Sequence, residues 1–280
     1  MYVSSGGIVN GATVNSGGEL TISSGGEAYY TTVNSIGYLT VYSGAMADST
    51  TVNSGGILNV RSGCVTNYTS VNNGGTFIVF FGGVASNARV NSGGSMSISA
   101  GGTAYYTSVN SGGSAFVSSL AAAYNTNVQS GGWLFVNGSA TYTTVNSDGN
   151  AFLSSGATAS NATVYKGGFL DMDRASANIV YVSGGDVNVS SGATLNSATV
   201  FSGGIITVFS GGTANSATVS SGGRFYVSSG GEATRATVNS YSELHVSSGG
   251  TATSALKILD LVYISLIAMS HYRLYNHQFL

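Results

Sequence analysis

A period of 19 residues governs this chain. Taking the apolar residue before each NSGG-like turn as an anchor gives Val14, Val33, Val52, Val71, Val90, Val109, Val128, Val145, Val164, Tyr181, Val200, Val219 and Val238, thirteen copies in all. Ten of the twelve intervals are 19 residues and two are 17, and the chain opens in mid-repeat with Val3. A fixed period of about 20 residues or more marks a stacked array, in which no unit buries its apolar face alone. The two short intervals support a structural unit. Asn137-Gly138 replaces one SSGG segment and Asp173-Arg174 another, and the flanking apolar positions keep their register. Turns tolerate such deletions and packed strands do not.

Within each unit the pattern has period two. Leu20/Ile22, Leu39/Val41, Leu58/Val60, Phe77/Val79, Met96/Ile98 and Leu134/Val136 lie six and eight residues past their anchors, and later copies follow suit. Alternation of this kind predicts a strand with one buried face. The anchor belongs to a second strand rich in β-branched residues, as in TTVN. Ser-Gly-Gly turns join the strands, with glycine supplying the positive φ that other residues resist. A small residue recurs fourteen past the anchor (Ala28, Ala47, Ala85, Ala104), as an inward-facing corner would need.

Stacked in register, such units form an all-β fold: a parallel β-solenoid (right-handed β-helix) of about 13 coils over residues 2–255. In-register stacking predicts an asparagine ladder through Asn15, Asn34, Asn53, Asn72, Asn91 and Asn110. Tyrosines three or four residues before an anchor (Tyr29/Tyr30, Tyr68, Tyr105/Tyr106, Tyr124, Tyr142) are placed to stack along one face.

Composition removes several alternatives. Glycine is 42 of 280 residues and charge is scarce at 6%, yet 42% of residues are hydrophobic and regularly spaced, which argues against disorder. A net charge of −2 offers no basic field for a phosphate backbone, so no nucleic acid is expected as a partner. The single Cys64 forms no internal disulfide. Met1 is followed by YVSSGG without a charged n-region or apolar h-region, so no signal peptide is visible.

The units VNSGGELTISSGGEA, VNSGGILNVRSGCVT and VSSGGRFYVSSGGEA resemble the strand–loop–strand repeats of AIDA-I-type autotransporter passengers, the self-associating adhesins of Gram-negative bacteria. The resemblance implies a non-catalytic surface-exposed passenger, secreted through an outer-membrane β-barrel, that mediates cell aggregation, biofilm formation or attachment. Its implied partners are like rods and host or bacterial surface glycans or proteins. It also implies O-glycosylation by a heptosyltransferase on the serine two past the anchor: Ser16, Ser35, Ser54, Ser92, Ser111, Ser130, Ser147, Ser183, Ser202, Ser221 and Ser240. Asn73 and Lys166 replace that serine in two copies. The plain alternative for each serine is turn chemistry, a hydroxyl bonded to nearby backbone. No C-terminal barrel, which would need many strands of about 10 residues, is visible in this chain.

An enzyme is the competing class, because β-solenoids also carry polysaccharide lyases, hydrolases and carbohydrate-binding proteins. Such chemistry needs paired acids at a fixed separation, or acids with a metal and a base. Asp171 and Asp173, beside Arg174, are the one close acidic pair, and a polar turn accounts for them equally. His245 lies between Leu244 and Val246, faces outward, and has no Cys or His at metal-ligand spacing. Cys64 reads as a drifted turn residue. No calcium-binding nonapeptide occurs, so no cofactor or metal is expected. Ice binding would need a flat threonine array. In Thr31/Thr32, Thr50/Thr51 and Thr143/Thr144 only one hydroxyl of each pair faces out, and Ala88-Arg89 interrupts the series.

After Ala255 the period stops, and residues 256–280 (LKILDLVYISLIAMSHYRLYNHQFL) contain no glycine. This non-repeat tail reads either as a cap on the last coil or as a frameshifted end. Its apolar run is too short for a spanning helix, which needs about 20 residues.

Overall fold

The computed structural model describes residues 1–257, 263–266 and 274–276. Every regular element among them is a β-strand, and the chain winds as a parallel β-solenoid of about 13 turns. It divides into two compact units, Met1–Thr141 and Tyr142–Leu280.

In the first unit each coil gives a four-residue strand (Glu19–Ile22, Tyr38–Val41, Ile57–Val60) to one parallel sheet. A three-residue strand (Glu27–Tyr29, Met46–Asp48) and a two-residue strand (Thr32–Val33, Thr51–Val52) join a second sheet. Register is one repeat per coil, with Leu39 opposite Leu58, Ala28 opposite Ala47 and Val33 opposite Val52. Like residues therefore meet like residues, and Leu39, Val41, Ala47, Val52, Leu58 and Phe77 are all fully buried. Burying a Val, Leu or Phe side chain is worth about 1.5–3 kcal/mol. The recurring alanine lies at the centre of its three-residue strand, facing in, rather than at a corner.

The second unit repeats this plan with Asn150–Leu153, Phe169–Met172 and Asp186–Val189 in one sheet. Thr158–Tyr165 and Ser176–Ser183 run unbroken for eight residues each in the other. Their register corrects one sequence reading. Val182, not Tyr181, lies opposite both Val164 and Val200, and is buried while Tyr181 is exposed. The pleat decides between two adjacent apolar residues, because only one can point inward. The intervals here are therefore 18 and 18 (164 to 182, 182 to 200), one residue being lost from each of two turns.

A feature absent from the sequence reading splits the anchor strand. Three residues before the anchor the backbone turns left-handed in nearly every coil, at Tyr30 (φ 52°), Ser49 (55°), Tyr68 (52°), Asn87 (55°) and Tyr106 (54°) among others, but not at Ser197 before Val200. Most coils thus have three strands where alternation alone suggested two, and only Thr158–Tyr165 and Ser176–Ser183 run through the left-handed residue unbroken. Beyond Ala255, the backbone of Tyr263–Leu266 pairs in parallel with Glu243–Val246, and Leu274–Asn276 pairs with Ala255–Lys257. The remainder of the tail, with His271 and His277, lies outside the described residues.

Candidate functional site

The turn after each anchor is a four-residue reversal. The Gly18 amide donates to the Asn15 carbonyl at 2.7 Å, and Gly56 to Asn53 and Gly75 to Asn72 at 2.8 Å each. Serine usually takes the second position and glycine the third, where φ is 71° at Gly17 and 72° at Gly55, the requirement of a type II turn; Ile36 (57°), Asp148 (56°) and Tyr241 (59°) hold the same positive φ without glycine. The second glycine is required for a different reason. A Cβ at Gly56 would lie 2.5 Å from the Val33 carbonyl oxygen of the preceding coil. The turns are also tied to one another, the Gly55 amide donating to the Gly74 carbonyl at 2.9 Å and Gly74 to Gly93 likewise.

This geometry holds the serine hydroxyls outward, in a column with one position per coil, about 4.8 Å apart. Ser16, Ser35, Ser54, Ser92, Ser111 and Ser130 are exposed in the first unit, as are Ser147, Ser202 and Ser221 in the second. Ser240 is half-buried. Ser183 leaves the column: it is half-buried and pairs in register with Tyr165, one residue past the true anchor, because its turn has lost a residue. Beside the serines runs the asparagine ladder. Asn34 donates through Nδ2 to Asn15 Oδ1, Asn53 to Asn34, Asn72 to Asn53 and Asn91 to Asn72 at 2.9 Å each, and Asn110 to Asn91 at 2.7 Å.

The opposite turn repeats the geometry. Gly26 donates to the Ser23 carbonyl at 2.8 Å, Gly25 has φ 73°, and Ser24, Ser43 and Ser62 are exposed in the matching position. The acceptor reading passed over these serines, although the SSGG motif carries the same signal as NSGG. Cys64 replaces the second glycine of this turn. It is fully buried, its Sγ 3.1 Å from the Val41 carbonyl oxygen, and burial pushes its thiol up.

The polar candidates elsewhere lie in two places, at Asp171–Arg174 and at His245. Asp173 pairs with Arg174 at 3.0 Å on the surface. Burial pushes the Asp171 carboxyl up, with Asp173 adding in the same direction and a hydrogen bond from Asn188 opposing. His245 faces outward, stacked on Tyr226 with ring centroids 5.1 Å apart, and its Nε2 lies 3.3 Å from Glu243. Among the described residues no group of three His, Cys, Asp or Glu side chains could hold a metal ion. No helix among them is long and apolar enough to cross a membrane.

Comparison with known proteins agrees with this picture. The family described as "Adhesin of bacterial autotransporter system, probable stalk" matches residues 2–56, 59–113 and 73–132. No curated protein matches. Among solved structures, the crystal structure of a TibC-catalysed hyper-glycosylated TibA fragment, residues 55–350, is 39% identical, with a TM-score of 0.77. That match covers 95% of this chain and 92% of the TibA fragment. The parallel solenoid and these two matches together define the chain as an adhesin stalk. This chain belongs to the AIDA-type autotransporter adhesin stalk family, and that membership implies a cell-surface passenger.

Proposed function

We propose that this stalk mediates cell aggregation and attachment without catalysis, through side-to-side association of like chains, and that its turn serines accept O-linked sugars from a heptosyltransferase. The observation that carries the proposal is the column of exposed serines, each at the second position of the same four-residue turn. A repeated identical acceptor suits an enzyme that modifies many sites, and a hyper-glycosylated protein is 39% identical to this chain. Low charge, 6% of residues, leaves little repulsion between copies.

The sugar-acceptor reading is tested by co-expressing the chain with a heptosyltransferase and mapping modified residues by mass spectrometry. Modification is expected at Ser35, Ser54, Ser111 and Ser202 and not at the displaced Ser183. Modification confined to other residues would overturn it. The adhesion reading is tested by surface display. Cells carrying the stalk should settle, and Gly56→Val with Gly75→Val should abolish settling by breaking coils. Settling that survives loss of the fold would rule out the stalk as the adhesive element.

A further inference from the structure

The left-handed column three residues before the anchors carries an unexpected side-chain pattern. Through the first unit it runs Tyr30, Ser49, Tyr68, Asn87, Tyr106 and Asn125, each with φ between 52° and 55°. Asparagine tolerates this conformation and a bulky ring does not. Gly11, at φ 68°, fills the same position in the first coil with no such conflict. The tyrosines do not stabilise the core either, because Tyr30, Tyr68 and Tyr106 are 65%, 61% and 59% exposed. They are kept against local preference and in the open.

They also alternate. A tyrosine on every second coil stands about 9–10 Å from the next, with a small polar residue between. Two of those intervening side chains, Ser49 and Asn87, fold back onto their own strand. Ser49 donates to Asp48 Oδ1 at 2.6 Å, and Asn87 Nδ2 to Ser86 Oγ at 3.0 Å. The result between Tyr68 and Tyr106 is an open cleft of about 290 Å³, floored by Asn87 and bordered by Arg89 and Ser108.

A ring inserted midway between two such tyrosines would lie one coil spacing from each. Rings one coil apart stack in this molecule, as Tyr105 and Tyr124 do with centroids 5.1 Å apart and planes at 14°. Arginine over a ring occurs in another column of this molecule, where Arg61 covers both Tyr42 and Phe80 at 5.5 and 5.0 Å. The surface that offers the teeth offers the gaps, so it is complementary to itself. In an antiparallel pair related by a two-fold axis, Tyr30 enters the gap at Asn125, Tyr68 that at Asn87, and Tyr106 that at Ser49. Within the first unit every tooth then meets a small residue of the partner, as an isologous interface requires.

We infer that this tyrosine comb is a self-recognition surface, through which the first unit of one chain pairs antiparallel with that of a second copy. The inference deepens the self-association reading above and names its contact. A covered aromatic side chain buries about 150–250 Å². At the observed exposure, three rings from each copy therefore remove on the order of 500–1,000 Å². That is the size of a weak, transient contact, strengthened on a cell surface by repetition. Antiparallel pairing suits stalks that project from two facing cells.

Sedimentation velocity on the full chain, over micromolar to millimolar concentration, tests the inference. Tyr68→Asn together with Tyr106→Asn removes the teeth while suiting the left-handed backbone. Its melting temperature should be unchanged or higher, and its dimerisation at least tenfold weaker. Asn87→Tyr, which fills a gap, should weaken dimerisation too. Phe81→Ser, an exposed ring on the other turn (73% exposed), should leave it unchanged. If the tyrosine variant dimerises like the native chain, the comb is wrong and self-association proceeds elsewhere. If the native chain stays monomeric throughout, self-association of the unmodified stalk fails as well. Binding of cellohexaose that Tyr68→Asn abolishes, with dimerisation unchanged, would reassign the gaps to a saccharide.

Discussion

The first unit keeps an asparagine ladder of five bonds immediately after its anchors, through Asn15 to Asn110. In the second unit those positions hold Asn146, Tyr165, Ser183, Phe201, Ser220 and Asn239, so the asparagine column is interrupted after Asn146, and a shorter ladder appears in another column. There Asn196 donates to Asn178 at 2.7 Å, Asn215 to Asn196 at 3.3 Å, and Thr234 to Asn215 at 2.6 Å. Inside the coils the contrast is reversed. In the first unit Thr31, Thr50, Thr69, Thr107 and Thr126 bury hydroxyls that find no hydrogen-bond partner among the described residues, Ala88 being the exception, whereas the second, after Thr143, uses Ala162, Val180, Ala198, Ala217 and Ala236. The left-handed column differs as well. It alternates tyrosine with small residues in the first unit and runs Tyr142, Asn161, Ile179, Ser216 and Arg235 in the second. Both units nonetheless share one backbone. The strand pairing and the buried Val and Leu columns hold the coil, and the remaining columns are free to vary with local use.

The largest expected effect lies in what the units share. Gly56→Ala forces a Cβ against the Val33 carbonyl at 2.5 Å, whereas at Gly223 the matching distance to Val200 is 2.9 Å. Gly56→Ala should cost about 2–4 kcal/mol and Gly223→Ala less, measured by chemical denaturation. Equal losses would mean that the close approach does not set the requirement. Ser242, the one side chain described in this position, sits where the turn bond has stretched to 3.3 Å.

Next in size is the ladder. Asn72→Ala removes two bonds of 2.9 Å and strands their partners, a loss of about 1–2 kcal/mol. Hydrogen exchange should quicken around residues 53–91 and stay unchanged in the second unit. Asn196→Ala, in the weaker and more exposed ladder, should show a smaller effect; the opposite ranking would make the first ladder decorative.

Thr50→Val then tests the buried hydroxyls. Replacing an unpaired buried hydroxyl by a methyl of the same shape should stabilise by about 1 kcal/mol, and Ala198→Thr should do the reverse. A destabilised Thr50→Val would show that the hydroxyl is satisfied after all.

The smallest effect depends on pH. Burial raises the folded pKa of Asp171 above its unfolded value of about 3.9. The folded chain therefore binds the extra proton, and stability falls as pH rises through that window. Asp171→Asn should raise the melting temperature slightly at pH 7 and not at pH 3. Asn59→Ala, at the same repeat position in the first unit, should show no such pH dependence.

Much of this was legible in the chain itself. Thirteen phased copies fixed the coil, its inward Val and Leu columns, the asparagine ladder and the exposed serines, because in-register stacking turns a linear period into spatial columns. The misplaced anchor at Tyr181 arose where two apolar residues adjoin and spacing cannot say which points inward. The same shift carried Ser183 out of the serine column. The left-handed residue before the anchors was not legible, because tyrosine, serine and asparagine there spell no turn signal.

The sequence by itself thus determined the repeating unit, its buried face and the hydroxyl-bearing turns, since periodicity and alternation are properties of the chain. Only the tertiary structure decided which of two adjacent residues is the anchor, why the second glycine cannot carry a Cβ, and that the tyrosines form a comb. Those three depend on distances between coils, on the Val52 carbonyl 23 residues before Gly75 or a ring two coils distant. A single strand holds no record of what will be stacked against it.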